Sequence, residues 1–265
     1  MHDGAREAWG SGELYELYVG RWSRVVAREF LAWLGVPPGQ TWGEVGCGTG
    51  ALAQSILAVA EPHAVFAIDR AKGFIAAARS STPDRRARFA VADATALPWA
   101  SASCAATVSG LVLNFVPAPA SMVREMQRVT QPGGQVAAYV WDYGAGMEMM
   151  RHFWDAAVGL RPEHAALDEA ARFPLCRPEP LKALFQAAGL SAVSVSSVSI
   201  PTVFRNFDDY WTPFLGKQGP APTYVASLDE PARERLREAL RARLPAAADG
   251  SIPLAAQAWV VRATA

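Results

Sequence analysis

Cysteine is scarce in this 265-residue chain, and the three present, Cys47, Cys104 and Cys176, stand far apart. An odd number at such spacing excludes a disulfide framework and the paired Cys/His pattern of a zinc site. No carboxylate/histidine cluster has metal-ligand spacing either, so no metal is expected. An excess of one charge is also missing. Lys plus Arg number 25 and Asp plus Glu number 25, which argues against the positive surface that nucleic-acid binding needs. The short cluster Arg85, Arg86 and Arg88 does not change that. No apolar run reaches the ~20 residues that cross a bilayer. The opening MHDGAREAWGSGELYE lacks a basic start followed by an apolar core, so no secretory leader is expected. These absences predict a soluble cytoplasmic protein with neither a nucleic-acid nor a membrane partner.

Apolar residues make up 51% of the chain, ample material for a core. The length suits one large domain or one domain with insertions. The most informative stretch is TWGEVGCGTGAL, residues 41–52. It reads as a buried strand end, glycines at 46, 48 and 50, and a helix over 51–60. A strand that turns through glycines into a helix N-terminus presents backbone N–H groups and lets a ligand approach the main chain. Gly46, Gly48 and Ala51 also satisfy the dinucleotide pattern G-x-G-x-x-G/A. A ligand-free tight turn satisfies it equally, so the downstream chain must decide.

Upstream, residues 13–34 carry Leu14, Leu17, Tyr18, Trp22, Val25, Val26, Phe30 and Leu34 at helical spacing, as one helix or two broken near Gly20. Residues 1–12 read as a loose tail. Downstream, 64–68 is a short apolar strand ending at Asp69, 23 residues after Gly46. That spacing suits a carboxylate accepting hydrogen bonds from a ribose diol. The same Asp can cap the helix expected over 71–80. Arg70 is placed to lie against an adenine ring. Strands follow over 88–92, 105–109 and 135–141, with a helix over 121–130 closed by Gln131-Pro132-Gly133-Gly134. Strand and helix therefore alternate through five strands, which specifies a parallel sheet with helices on both faces. Right-handed crossovers bring Gly46, Asp69, Asp93, Ser109 and Asp142 to the same sheet edge, where α/β sheets bind ligands.

These residues resemble the class I S-adenosylmethionine-dependent methyltransferases, in particular the branch that includes quinone-biosynthesis enzymes. Glu44-Val45-Gly46-Cys47-Gly48-Thr49-Gly50 is similar to the family's (D/E)-x-G-x-G-x-G motif, with Glu where Asp is common. Asp69 matches the second-strand acid. Val91-Ala92-Asp93-Ala94 with Leu97-Pro98 matches the third-strand motif, and Gln127-Arg128-Val129 with Pro132-Gly133-Gly134 matches the stretch before strand five. The resemblance covers about residues 41–140. It implies a Rossmann-like, mostly parallel seven-stranded sheet whose last strand is antiparallel and lies between strands five and six. It also implies S-adenosyl-L-methionine as cofactor. The methionine end would lie over Gly46, Cys47 and Gly48, with Glu44 and Gly46 near its amino group. Asp69 would hold the ribose, Asp93 and Ala94 the adenine, and the backbone at Ser109 and Leu111 would line the sulfonium side. Tyr18 and Arg21 would close over the cofactor carboxylate.

The second half adds helices over 147–158, 178–188 and 231–244, strands over 191–202 and 254–261, and an irregular connection over 161–177. Phe204, Phe207, Tyr210, Trp211 and Phe214 share one expected helix face, as core or as the wall of an acceptor pocket. The organisation expected is one domain over 1–265: an N-terminal helical cap (1–40), a cofactor-binding core (41–142), and substrate-cap insertions at 143–177 and 203–228. The expected chemistry is in-line methyl transfer to an O, N or C nucleophile of a small organic acceptor, aromatic or quinone-like. Good alignment alone can be worth roughly 7–11 kcal/mol. Asp142, Tyr143 and His152 are candidate bases, and Asn114 is placed to orient an acceptor. Two other readings remain at this stage: a non-catalytic cofactor-binding module acting through a protein partner, and a nicotinamide-dependent oxidoreductase. No Y-x-x-x-K supports the latter.

Overall fold

The computed structural model describes residues 16–216 and 219–265, with side chains from Tyr18 onward apart from the gap. The tail 1–12, Leu14, Tyr15, Lys217 and Gln218 lie outside the described residues, as does the side chain of Leu17. Seven strands form one sheet: β1 (Thr41–Val45), β2 (Ala64–Asp69), β3 (Ala87–Val91), β4 (Cys104–Gly110), β5 (Thr130–Trp141), β6 (Ser191–Phe204) and β7 (Ile252–Thr264). Their order is β3-β2-β1-β4-β5-β7-β6. The first five strands are parallel, and β7 runs antiparallel to both β5 and β6. The implied sheet and its reversed last strand are therefore present. Trp42, Val45, Val65, Ala67, Ile68, Ala106 and Val108 are buried, which is why these central strands read as continuous apolar runs.

Helices cover the sheet: α1 (Arg21–Leu34), α2 (Ala51–Val59), α3 (Lys72–Ser81), α4 (Pro119–Val129), α5 (Glu148–Leu160), α6 (Glu169–Arg172), α7 (Pro178–Ala187), α8 (Phe207–Trp211), α9 (Pro220–Ser227) and α10 (Glu230–Arg243). The break at Gly20 is a π-helical turn, Glu16–Gly20, that runs directly into α1. Such turns recur at functional sites.

Three expectations change. The segment 131–134, expected to close a helix as a loop, is the irregular start of β5, turned at Gly133 (φ +79°), with Thr130 paired to Cys104 and a register shift before Ala106. Gly134 makes this possible, because a Cβ there would lie 2.6 Å from the Ala105 carbonyl oxygen. The connection 161–177 is ordered by a 3-10 turn, Pro162–Leu167, and by α6. Asp168 caps α6 by accepting the Ala170 N–H at 2.8 Å, and Arg151 from α5 clamps the same carboxylate through two bonds of 3.0 and 2.8 Å. Finally, the five aromatics do not share one helix face. Phe204 ends β6 and meets Trp22, and two of the rings pack on α5: Phe153 stacks on Phe214 at 4.5 Å, and the Tyr210 hydroxyl donates to the Met149 carbonyl at 2.8 Å. Tyr210 and Phe214 thereby fasten the segment after β6 to α5.

Candidate active site

The glycine turn is folded back onto β2. Gly46 and Cys47 both donate their N–H groups to the Ile68 carbonyl at 2.8 Å, Gly50 donates to Cys47, and Gly48 donates to Asp69 Oδ2 at 3.0 Å. The turn therefore does not present a row of free amides, and that expectation is corrected. Asp69 Oδ1 accepts the Ala71 N–H at 2.8 Å. Asp69 so reaches across the turn without capping α3, whose N-cap is Ala71 with no side-chain bond. Burial raises the Asp69 pKa, opposed by these backbone bonds.

Glu44, at the end of β1, is 1% exposed, and its Oε2 is buried with no hydrogen-bond partner. Burial, then the charge of Asp69, pushes its pKa up to about 8, against the Ala53 N–H. An unpaired buried carboxyl is costly unless a cation or donor meets it. The Asp69 carboxylate, and Glu44 once a cation draws off its proton, favour a cation at this turn, most of whose amides are already bonded. Gly48, with open space where a Cβ would stand, leaves room beside them. The unpartnered Glu44 carboxyl, with open space beside Gly48, thus fits an ammonium-bearing cofactor. Cys47 is buried, and burial, Glu44 and Asp69 hold its thiol well above the usual range, so it is inert packing inside the turn.

The sheet edge also carries the adenine candidates. Asp93 is exposed and accepts from the Thr95 N–H at 2.7 Å and its hydroxyl at 2.6 Å, bonds that lower its pKa. Ala94 is half-buried beside it and Arg70 is exposed. Ser109 is fully buried, and its hydroxyl donates to the Val45 carbonyl at 2.8 Å, tying the ends of β1 and β4 together. Leu111 adopts φ +62° and donates its N–H to Tyr139. Sequence reasoning missed the residue that follows. Val112 covers Gly46 so closely that a Cβ there would lie 2.6 Å from its methyl group. Asn114 sits in the 3-10 turn Leu113–Phe115 with its Nδ2 buried and unpartnered.

Above the strand ends, a cavity of about 20 Å³ is lined by Tyr18, Val19, Leu111, Phe115, Trp141, Tyr143, Met150, Glu169 and Pro220. Tyr18 is buried there, and its hydroxyl meets Met150 Sδ at 3.2 Å. Tyr143, expected as a candidate base, stands on the cavity wall. Arg21 does not stand free over it: Nη1 donates to Asp209 at 3.0 Å, and the guanidinium lies over Trp22 and Phe204. That pair joins α1 to α8.

Two expected bases are engaged away from the cavity. Asp142 is fully engaged: Oδ1 accepts the N–H groups of Gly144 and Ala145, and Oδ2 accepts from the Gly146 N–H and Gln257 Nε2, at 3.0–3.2 Å. It builds the turn out of β5, and base chemistry would dismantle that turn. We expect Asp142→Ala to lower folding stability by about 3 kcal/mol, since bonds to a charged acceptor are worth ~1.5–3 kcal/mol each and do not add fully. A thermal or urea melt measures this, and an unchanged midpoint would refute the structural role. His152 stands two residues beyond the cavity-lining Met150, about 200° around the helix. Its charged neighbours are Glu148, Asp155 and Arg243, and burial lowers its pKa. It belongs to the seam between α5 and α10. The carboxylate that does reach the cavity is Glu169, which sequence reasoning missed. It is 1% exposed and accepts a hydrogen bond from Trp154 Nε1. Among the described residues no group of His, Cys, Asp and Glu could hold a metal, and no helix is long and apolar enough to cross a membrane.

Known proteins match this chain along the same segments. The family model of the methyltransferase domain matches residues 43–138. The 2-methyl-6-phytyl-1,4-hydroquinone methyltransferase of Synechocystis sp. is 28% identical over 187 residues, 69% of this chain and 57% of that enzyme. This chain thus spans little more than half of that relative's length. The demethylmenaquinone methyltransferase of Roseiflexus sp. is 30% identical over 172 residues, 59% of this chain and 70% of that enzyme. Among solved structures, phosphoethanolamine N-methyltransferase 2 of Haemonchus contortus, in complex with S-adenosyl-L-methionine, superposes with a TM-score of 0.60. It is 17% identical and covers 96% of this chain and 56% of that one, a likeness of fold.

Proposed function

This chain belongs to the class I S-adenosylmethionine-dependent methyltransferases, and on that premise we propose that it methylates an O, N or C nucleophile of a small, flat, quinone-like acceptor. The observation that carries the reading is Glu44, a buried carboxyl with an unpartnered oxygen, beside Asp69 at the glycine turn. Glu44 holds the cofactor ammonium and Asp69 the ribose hydroxyls. Asp93 and the Ala94 N–H take the adenine edge, and Leu111 and Val112 exclude water from the methionine end. The bound cofactor supplies the electrophilic methyl on its sulfonium. The apolar cavity beneath Tyr18 and Pro220, lined by Phe115, Trp141 and Tyr143, supports an aromatic acceptor, and the names of the hydroquinone and menaquinone relatives agree with that class.

The test is calorimetric titration with S-adenosylmethionine and, in parallel, with nicotinamide dinucleotides. Micromolar binding of the first and none of the second is expected. The reverse would return the glycine turn to a dinucleotide and end the proposal.

A further inference from the structure

Among the described residues the acceptor cavity is mostly apolar, and besides the Tyr18 and Tyr143 hydroxyls two buried polar groups stand on its lining. One is the Glu169 carboxylate, delivered by the short helix α6 and held by Trp154. The other is Trp141, whose ring lines the same cavity and whose Nε1–H is buried without a hydrogen-bond partner. A carboxylate only accepts hydrogen bonds, up to about four, and an indole N–H only donates. A group that serves both must donate and accept at once. A hydroxyl does so; an ammonium has no lone pair to offer Trp141, and an ether oxygen has no proton to offer Glu169. The size agrees, since about 20 Å³ has room for a single oxygen atom such as a water. The surrounding walls, Tyr18, Phe115 and Tyr143, are aromatic.

Resting on the acceptor site proposed above, we infer that Glu169 and Trp141 form a hydroxyl-reading pair that selects an acceptor bearing a hydroxyl on a flat aromatic body. The hydroxyl donates to Glu169 and accepts from Trp141 Nε1–H, while the ring lies among Tyr18, Phe115 and Tyr143. Admitting the ring requires this cavity to open, and Tyr18 and Pro220 stand on its wall. Neither residue carries the cofactor in this arrangement. Both determine which acceptor is kept.

The probes are 2-naphthol and its ether, 2-methoxynaphthalene, titrated by ligand-observed NMR against the protein with S-adenosylhomocysteine present. The wild type should bind the naphthol at least tenfold more tightly than the ether. Glu169→Gln keeps an oxygen for Trp154 and should bring the two affinities within about twofold while leaving the ether's unchanged. Trp141→Phe keeps an aromatic ring without the N–H and should cut the preference severalfold. If Glu169→Gln proves unstable in a melt, Trp141→Phe carries the test alone. Equal affinities in the wild type, a preference that survives both variants, or no binding of either probe overturns the inference. Calorimetry with S-adenosylmethionine on the same sample separates the two readings. Cofactor binding without hydroxyl preference removes only the pair, whereas loss of cofactor binding removes the proposed function as well.

Discussion

Asp69→Ala is expected to weaken S-adenosylmethionine binding by at least about a hundredfold. The carboxylate stands at the C-terminal end of β2 and bridges the turn, with Oδ2 on the Gly48 N–H and Oδ1 on the Ala71 N–H. Each oxygen has a second lone pair, so both ribose hydroxyls can add to bonds that already fix its orientation. Two hydrogen bonds to an ionised acceptor are worth ~3–6 kcal/mol together, or two to four powers of ten in affinity. The variant also frees the Gly48 N–H, so part of the loss is a looser turn. Asp69→Asn separates the parts, because it keeps one oxygen for the turn and removes the charge, and it should fall between wild type and Ala. Isothermal titration reads all three. Wild-type affinity in Asp69→Ala would refute the ribose role and leave Asp69 as a turn-former.

Strand ends were legible because each is an apolar run stopped by a polar or glycine residue, and that contrast is local. Asp69 could be named for the same reason, whereas Glu44 was marked only by the resemblance of its glycine motif to the family's. The hydrogen-bond state of the glycine turn was not legible, since it depends on how close β1 and β2 stand, with Gly46 and Cys47 sharing one carbonyl of Ile68. Asp142 illustrates the limit of placement. It sits at a strand end as expected, yet its partners come from a glycine turn and from Gln257 on the distant β7. Glu169 lay inside 161–177, where no periodicity marks a helix of four residues. Its burial follows from contacts with Trp154, which only the folded chain supplies. Val112 was overlooked because a valine beside a strand exit carries no signal until the glycine it covers is seen.

Glu44 should make cofactor binding depend on pH. With its pKa pushed up to about 8 by burial and by Asp69, the carboxyl is mostly protonated at pH 7 in the free protein. Pairing with the cofactor ammonium requires the ionised form, so binding expels close to one proton near neutrality. Affinity should therefore rise with pH between 5.5 and 7 by up to about tenfold per unit, the equivalent of 1.36 kcal/mol. Titration in two buffers of different ionisation enthalpy at pH 7 counts the proton directly. The same group governs stability with its own sign. Its folded pKa lies above the unfolded value, so the folded state binds more protons between about pH 4.5 and 8. Its contribution is fully present below that window and is lost as pH rises through it, by up to about 1.4 kcal/mol per unit. Glu44→Gln removes both slopes: binding weaker than wild type, no proton released, and a flatter melting profile from pH 5 to 8. A variant that still releases the proton would move the titrating group elsewhere and remove Glu44 from the ammonium site.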